Sequence, residues 1–429
     1  MSSDSLILTF EAARHLVEEH AKTLRPRGRE LLSLLDAAGR VLAEPIHADR
    51  DIPPFPRATR DGYALKSADV QSIPAHLEVV GEVKAGAAIG DLPALASGQA
   101  VAIMTGAPVP EGADAVLMVE HTRRDGDRIE ITKSVAEGEN IVPPGAEGRK
   151  SDLLLPAGTR LGYAAIGVTA AVGRSRVLVH AKPKVAVLST GDEVVDIDVP
   201  PASHQIRNSN SYSLAAQIQA AGGDPLILPI APDEPSRLRE LLAEAFDCDL
   251  VLIAGGVSMG KYDLVEQELA ALKAEFFFTG AKIQPGKPVV FGRIVCGAHS
   301  TPSPGSVAQG RLHSDAQHKY FFGLPGNPVS TMVTFEIFAE ACVQALAGLA
   351  PEPLRFVHAK LKTRLQTKTG LKRFLPAQLS GEFENAEVEL TRWQGSGDIA
   401  SVARSNCYLV IPPDREQIEV GEWVPVLLR

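Results

Sequence analysis

Two hydrophobic periods alternate along the middle of this chain. Short, fully apolar runs at 185–188, 226–229, 250–253, 276–278, 289–291 and 320–323 read as strands buried on both faces, since a half-exposed strand would alternate. Between them lie segments with apolar residues at helical spacing. These are 209–221, stopped by Gly222-Gly223; the stretch after Pro235 with Leu238, Leu241, Leu242 and Ala245 on one face; 262–273; and a long segment from Pro328 through Leu346. Repeated strand–helix units imply a largely parallel sheet with right-handed crossovers.

The flanks have other textures. Thr9 suits an N-cap before an amphipathic helix carrying Phe10, Ala13, Leu16, Val17 and Ala21, and a second short helix is expected at 34–42. From Asp51 a proline-rich loop runs to the Asp61-Gly62 turn. Strand-like runs follow at 77–80, 99–104, 115–118 and 128–131, predicting a small β domain or barrel. The strand-like run 153–155 and the helical run 164–168 resume the earlier character, so the β region reads as an insertion. After Pro351-Glu352-Pro353 hairpin signals at Ser380-Gly381, Gly395-Ser396-Gly397 and 419–422 predict a terminal β-barrel. The expected fold is a multi-domain α/β protein. It has a discontinuous helical N-terminal domain (1–50 and 147–183), an inserted β domain (51–146), a parallel-sheet α/β domain (184–349) and a C-terminal β-barrel (350–429).

Composition narrows the function. A chain of 429 residues exceeds one core, and 45% hydrophobic with 22% charged residues is ordinary for a globular protein. The net charge of −9 argues against nucleic-acid binding. Cys248, Cys296, Cys342 and Cys407 are too scattered for a zinc set or a disulfide framework, which suits a reducing cytoplasm. No signal peptide is evident, and no apolar run approaches a membrane span. The Ser/Pro/Gly/His-rich stretch 294–319 reads as a surface loop, with His299, His313 and His318 as loosely spaced metal candidates.

Three glycine turns fall at predicted strand ends: Thr190-Gly191-Asp192-Glu193, Gly255-Gly256-Val257-Ser258 and Pro325-Gly326-Asn327-Pro328. In α/β sheets ligands bind at that edge. Asn327 suits an N-cap and Pro328 a first helical turn, which would aim free N–H groups at an anion. Lys282 and Lys287 flank the Gln284-Pro285-Gly286 turn and supply compact positive charge. Asp192, Glu193, Asp233 and Asp263 are candidates for Mg²⁺, which favours a few carboxylates plus ligand phosphates. A phosphorylated or nucleotide-linked ligand is as far as the residues alone reach.

These motifs, with Asp61-Gly62-Tyr63-Ala64, the loop from Thr105 to Val116, Pro285-Gly286-Lys287-Pro288, Gly323 to Ser330, Gln394-Gly395-Ser396 and Asn406-Cys407, closely resemble the MoeA-type molybdopterin molybdenumtransferases. This molybdenum insertase family includes the E domain of gephyrin. The resemblance runs in family order across nearly the whole chain. It implies an elongated four-domain homodimer that takes adenylylated molybdopterin and molybdate and releases molybdenum cofactor and AMP. Asp192, Asp233 and Lys287 would be catalytic, with Asp192, Glu193 and Asp233 serving Mg²⁺. Substrate would meet Gly191, Gly255, Gly256, Ser258, Lys282, Pro285, Gly286, Gly326, Asn327, Ser330 and Ser396. Asp61 and Thr105 would face the partner subunit's cleft, making the site composite. The resemblance also implies a transient contact with molybdopterin adenylyltransferase.

The chain departs from the pattern at Pro56-Arg57-Ala58-Thr59-Arg60, where the family usually has Asp-Asn-Ser-Ala-Met. Glu147 stands where aspartate is common, and Gln284 where some members carry lysine. The insert at 297–319 matches no family feature. Two other readings share the ligand or the fold: an adenylyltransferase of the sibling type, and a non-catalytic gephyrin-like scaffold.

Overall fold

The computed structural model describes residues 6–256, 264–296 and 317–429. Two compact units emerge, one of 1–31, 39–43 and 178–429, the other of 32–38 and 44–177.

Within the described residues the first unit is built on a six-stranded sheet. Its strands are β1 (Lys184–Ser189), β2 (Asp224–Ile227), β3 (Leu250–Ala254), β4 (Glu275–Phe278), β5 (Val290–Cys296) and β6 (Gln317–Leu324). Their order is β2-β1-β3-β6-β5-β4. The first four lie parallel; β5 runs antiparallel to β6, and the edge strand β4 runs antiparallel to β5. The expected parallel sheet is therefore a mixed one. Residues 294–296 and 317–319, expected in a loop, instead form the paired ends of β5 and β6. His318 is exposed on β6, and His299 and His313 lie outside the described residues.

Continuous apolar runs form β1, β3 and β6 because both faces are covered, whereas β2, expected to be buried, is an edge strand that leaves Leu226 and Ile227 exposed. Val185 and Val187, Leu250 and Leu252, and Tyr320 and Phe322 point into one core. Ala186 and Leu188, Val251 and Ile253, and Phe321 point into the other. The first core is roofed by α1 (Phe10–Ala21), α2 (Ser209–Ala221) and α5, the continuous helix Pro328–Leu346. The second is roofed by α3 (Pro235–Ala245) and α4 (Leu264–Ala271). Thr9 caps α1 as expected, its side chain accepting from the Ala12 N–H. Contrary to the sequence reading, α5 does reach the length and apolarity of a membrane span; it is 83% buried, so its apolar surface is spent on the core.

Five strands close the C-terminal barrel: β7 (Phe356–Leu361), β8 (Lys372–Ser380), β9 (Glu387–Leu390), β10 (Cys407–Ile411) and β11 (Trp423–Leu428). The two-residue strand Ile283–Gln284 adds to β8 in parallel, which joins the lysine turn to the barrel.

The second unit holds an open six-stranded sheet. Its order is Ala115–Met118, Gly62–Leu65, Gln99–Ile103, Ala75–Val83, Arg128–Ile131 and Thr122–Asp125. The Gly62–Leu65 strand, second from the edge, is wholly buried, with Tyr63 and Leu65 in one core and Ala64 in another. The helix expected at 34–42 does not form; 34–39 are turns. Gly39 at φ +77° breaks a helical path, and buried Leu42 is instead in extended chain, bridging to Val179.

Candidate functional site

The carboxyl ends of β1, β3 and β6 are stitched together by backbone hydrogen bonds. Thr190 donates to Ala254 O (3.1 Å), Gly191 to Ala231 O (3.2 Å) and Gly255 to Leu324 O (3.0 Å). Glycine is required for this closeness. A Cβ on Gly255 (φ +95°) would sit 2.9 Å from Thr190 O, and one on Gly256 (φ +62°) would sit 2.5 Å from Val265 Cγ2. A cleft of about 1000 Å³ opens above this junction. Gly191, Glu193, Asp233, Gly255, Gly256, Gly326 and Asn327, all singled out from sequence, line it. Ser258 and Asp263 lie outside the described residues.

Several helices begin at the cleft, among them α2 (Asn208 to Asn210), α3 (Pro235) and α5 (Asn327, Pro328). Asn208 caps α2, accepting from Ser211 N and from the Ser189 hydroxyl (both 3.1 Å). Asn327 occupies the N-cap position of α5 but its side chain makes no capping bond. One N–H expected to be free is taken: Val329 donates to Ser396 O at 3.0 Å, bringing the barrel loop against the start of α5. Gly397 of that loop lines the cleft. Asn210 Nδ2 donates to Gly326 O (2.7 Å), while Asn210 Oδ1 and Thr190 Oγ1 are buried without a hydrogen-bond partner among the described residues. Such groups are costly unless a ligand or water meets them.

The carboxylates converge only in part. Asp192 is exposed beside the cleft, and its Oδ1 accepts the Asp233 N–H at 3.0 Å. Burial, then the negative charges of Asp192 and Glu193, push the Asp233 carboxyl above its ordinary range. Among the described residues no three His, Cys, Asp or Glu side chains are grouped to hold a metal, so the expected Asp192–Glu193–Asp233 set is not a preformed cage. The reason is local: Asp192 is turned to Asp233's backbone, and Glu193 lies within 2.4 Å of where a Cβ on Gly191 would stand.

Lys282 and Lys287 are exposed and do not line the cleft; Pro288, next to Lys287, does. Their turn is held from several sides. Lys282 N donates to Leu8 O (2.8 Å), Lys372 N to Lys282 O (3.0 Å), and buried Arg373 donates through Nε to Gln284 Oε1 (2.8 Å). Pro285 and Gly286 are buried, and a Cβ on Gly286 would sit 2.4 Å from Thr334 Cγ2 and 3.6 Å from Ser330 O. Ser330 therefore adjoins the lysine turn. It is buried one turn into α5, off the cleft wall.

In the second unit Thr105 donates to Asp61 Oδ1 through both its N–H (2.6 Å) and its hydroxyl (2.8 Å). Those bonds hold the Asp61 carboxyl below its usual range. Arg57 and Glu147, two positions that depart from the family pattern, pair with each other at 2.7 Å, so the added cation meets the lengthened carboxylate.

Residues 8–173 match the MoeA N-terminal region (domain I and II), 186–345 the "Probable molybdopterin binding domain" and 358–428 the MoeA C-terminal region (domain IV). A molybdopterin molybdenumtransferase of Nostoc sp. is 34% identical over 408 residues, covering 93% of this chain and 88% of the relative. The chain belongs to the MoeA family. Molybdopterin molybdenumtransferase 1 of Mycobacterium tuberculosis, 31% identical, covers 92% of this MoeA chain and 93% of its own length. A crystal structure of the molybdopterin biosynthesis moeA protein from Pyrococcus horikoshii superposes with a TM-score of 0.75 at 29% identity, covering 99% of this chain and all of that one. The sequence reading of family and fold is thus upheld.

What sequence reasoning missed on the cleft wall is Arg207, Asn208 and Asn210. The run Arg207-Asn208-Ser209-Asn210 reads locally as a polar helix start, and only the neighbouring glycine turns of β1 and β6 make it a wall.

Proposed function

We propose that this protein is a molybdopterin molybdenumtransferase in molybdenum cofactor biosynthesis, inserting molybdate into adenylylated molybdopterin and releasing molybdenum cofactor and AMP. The observation that carries the reading is the cleft at the carboxyl ends of β1, β3 and β6, with helix N-termini facing it, in a chain matched along its length by proteins of that name. Helix N-termini and the Lys282–Lys287 turn suit the two anionic parts of such a reaction, phosphate and oxometal dianion. Asn210 and Thr190 offer unpartnered polar atoms to a ligand in the cleft.

Magnesium belongs to the same proposal. Asp233 is raised by burial and by like charge, the electrostatic situation that a bound cation relieves, and Mg²⁺ needs only one or two carboxylates when phosphates complete its shell. Asp192 and Asp233 would hold the ion, with Glu193 beside them. When bound it would offset charge on the phosphate during cleavage. The chain's own part is to hold Asp233 against Asp192, to keep the three glycine turns close, and to seat the Gly286 turn that carries Lys287 against α5 near Ser330. No thiol nucleophile is needed, because the dithiolene sulfurs arrive with the substrate. The reading also includes a cytoplasmic homodimer in which the Asp61–Thr105 loops complete a partner's cleft, with transient contact to the adenylyltransferase.

The test is turnover by the purified protein. With adenylylated molybdopterin, molybdate and Mg²⁺, AMP and active molybdenum cofactor should appear together, and chelation should stop both. Formation of adenylylated molybdopterin from ATP would instead identify an adenylyltransferase. Stoichiometric binding without turnover would favour a scaffold.

A further inference from the structure

We infer that Arg207 is the residue that grips the phosphate of the substrate's nucleotide end, an inference that rests on the molybdenumtransferase reading. Among the described residues lining the cleft, Arg207 alone is a lysine or arginine, and it shares the walls with the carboxylates Glu193 and Asp233. A cleft built for an anion has no other side-chain cation on those walls to offset them. The lysine turn that the sequence suggested lies off the lining.

Arg207 is also pre-organised. It sits on a two-stranded parallel ribbon, Val194–Val195 with Ile206–Arg207. Ile206 N donates to Glu193 O and Asn208 N to Val195 O, both at 2.8 Å, which pins the ribbon on either side. Its Nε donates to Ile197 O at 3.0 Å, and its terminal nitrogens have no hydrogen-bond partner among the described residues. The next three residues are the N-terminus of α2, a thirteen-residue helix, on the same wall. A guanidinium fork beside helix N–H groups matches the oxygens of a phosphate; Arg207 is exposed, and its Nε bond already fixes part of the side chain before binding.

The experiment compares wild type, Arg207→Ala and Arg207→Lys by calorimetric titration with AMP and with adenosine, at low and high salt. Wild type should bind AMP more tightly than adenosine. R207A should lose about tenfold to a hundredfold in AMP affinity, the range of a charge-assisted contact, and most of its salt dependence. Its adenosine affinity should not change, and R207K should fall between. In turnover, KM for adenylylated molybdopterin should rise with kcat little altered. An AMP affinity in R207A within twofold of wild type overturns the inference alone, as does equal weakening of adenosine, which marks a structural role. Failure of wild type to bind AMP at all overturns the molybdenumtransferase reading and this inference with it.

Discussion

Glu336 offers a quantitative test of how α5 is joined to the C-terminal barrel. It sits in a π-helical turn, Phe335–Ala339, and its Oε1 accepts from Gln217 Nε2 on α2 (3.2 Å) and from the Tyr408 hydroxyl on β10 (3.4 Å). Arg429 Nε lies 3.5 Å away, and Glu340 adds a like charge from the next turn. Burial dominates and pushes the carboxyl from its ordinary 4.5 to about 7; Arg429, Tyr408 and Gln217 offset only part of that. The folded value lies above the unfolded one. The native state therefore holds an extra proton between these limits, and the associated stability, complete below pH 4.5, is lost as pH rises through about 7. At about 1.36 kcal/mol per pH unit the loss is at most about 3 kcal/mol. Glu336→Gln keeps the shape and an acceptor while removing the ionisation. It should match wild type near pH 4.5 and exceed it by up to about 3 kcal/mol at pH 8. Urea unfolding from pH 4.5 to 8 reads this directly, because both tryptophans, Trp393 and Trp423, lie in the C-terminal segment and Trp393 packs against both the sheet and barrel cores. Subtracting the two curves cancels the other carboxylates. A difference that does not grow with pH would refute the burial argument.

Three further outcomes follow from the site and the core. Asp192→Asn removes a charge but keeps an acceptor for the Asp233 N–H, so thermal stability should stay near wild type while cofactor release falls at least about a hundredfold in the insertion assay. Gly256→Ala places a methyl 2.5 Å from Val265 Cγ2 and 2.8 Å from Thr190 Oγ1 at φ +62°, and denaturant titration should show about 1–3 kcal/mol of destabilisation together with lost turnover. Leu252→Ala, in a fully buried central strand, should cost about 2–5 kcal/mol by the same titration.

Local pattern was enough to read the strands and helices of the sheet, since a run such as Val185–Leu188 can satisfy so much apolar surface only between two layers. The glycine turns were legible for a similar reason: few other residues tolerate their backbone, so glycine marks the place. The lysine turn was legible too, though not its distance from the cleft wall. Only the fold decided that Arg207 and Asn210 stand on that wall, that Ser396 O takes an N–H of α5, and that Arg373 of the barrel holds Gln284. It also decided that 34–42 stays unwound and that β5 joins β6 in antiparallel sense. Backbone conformation and strand burial are written in neighbouring residues. Which side chain meets which ligand depends on contacts between segments far apart in the chain, and those leave no trace in any one of them.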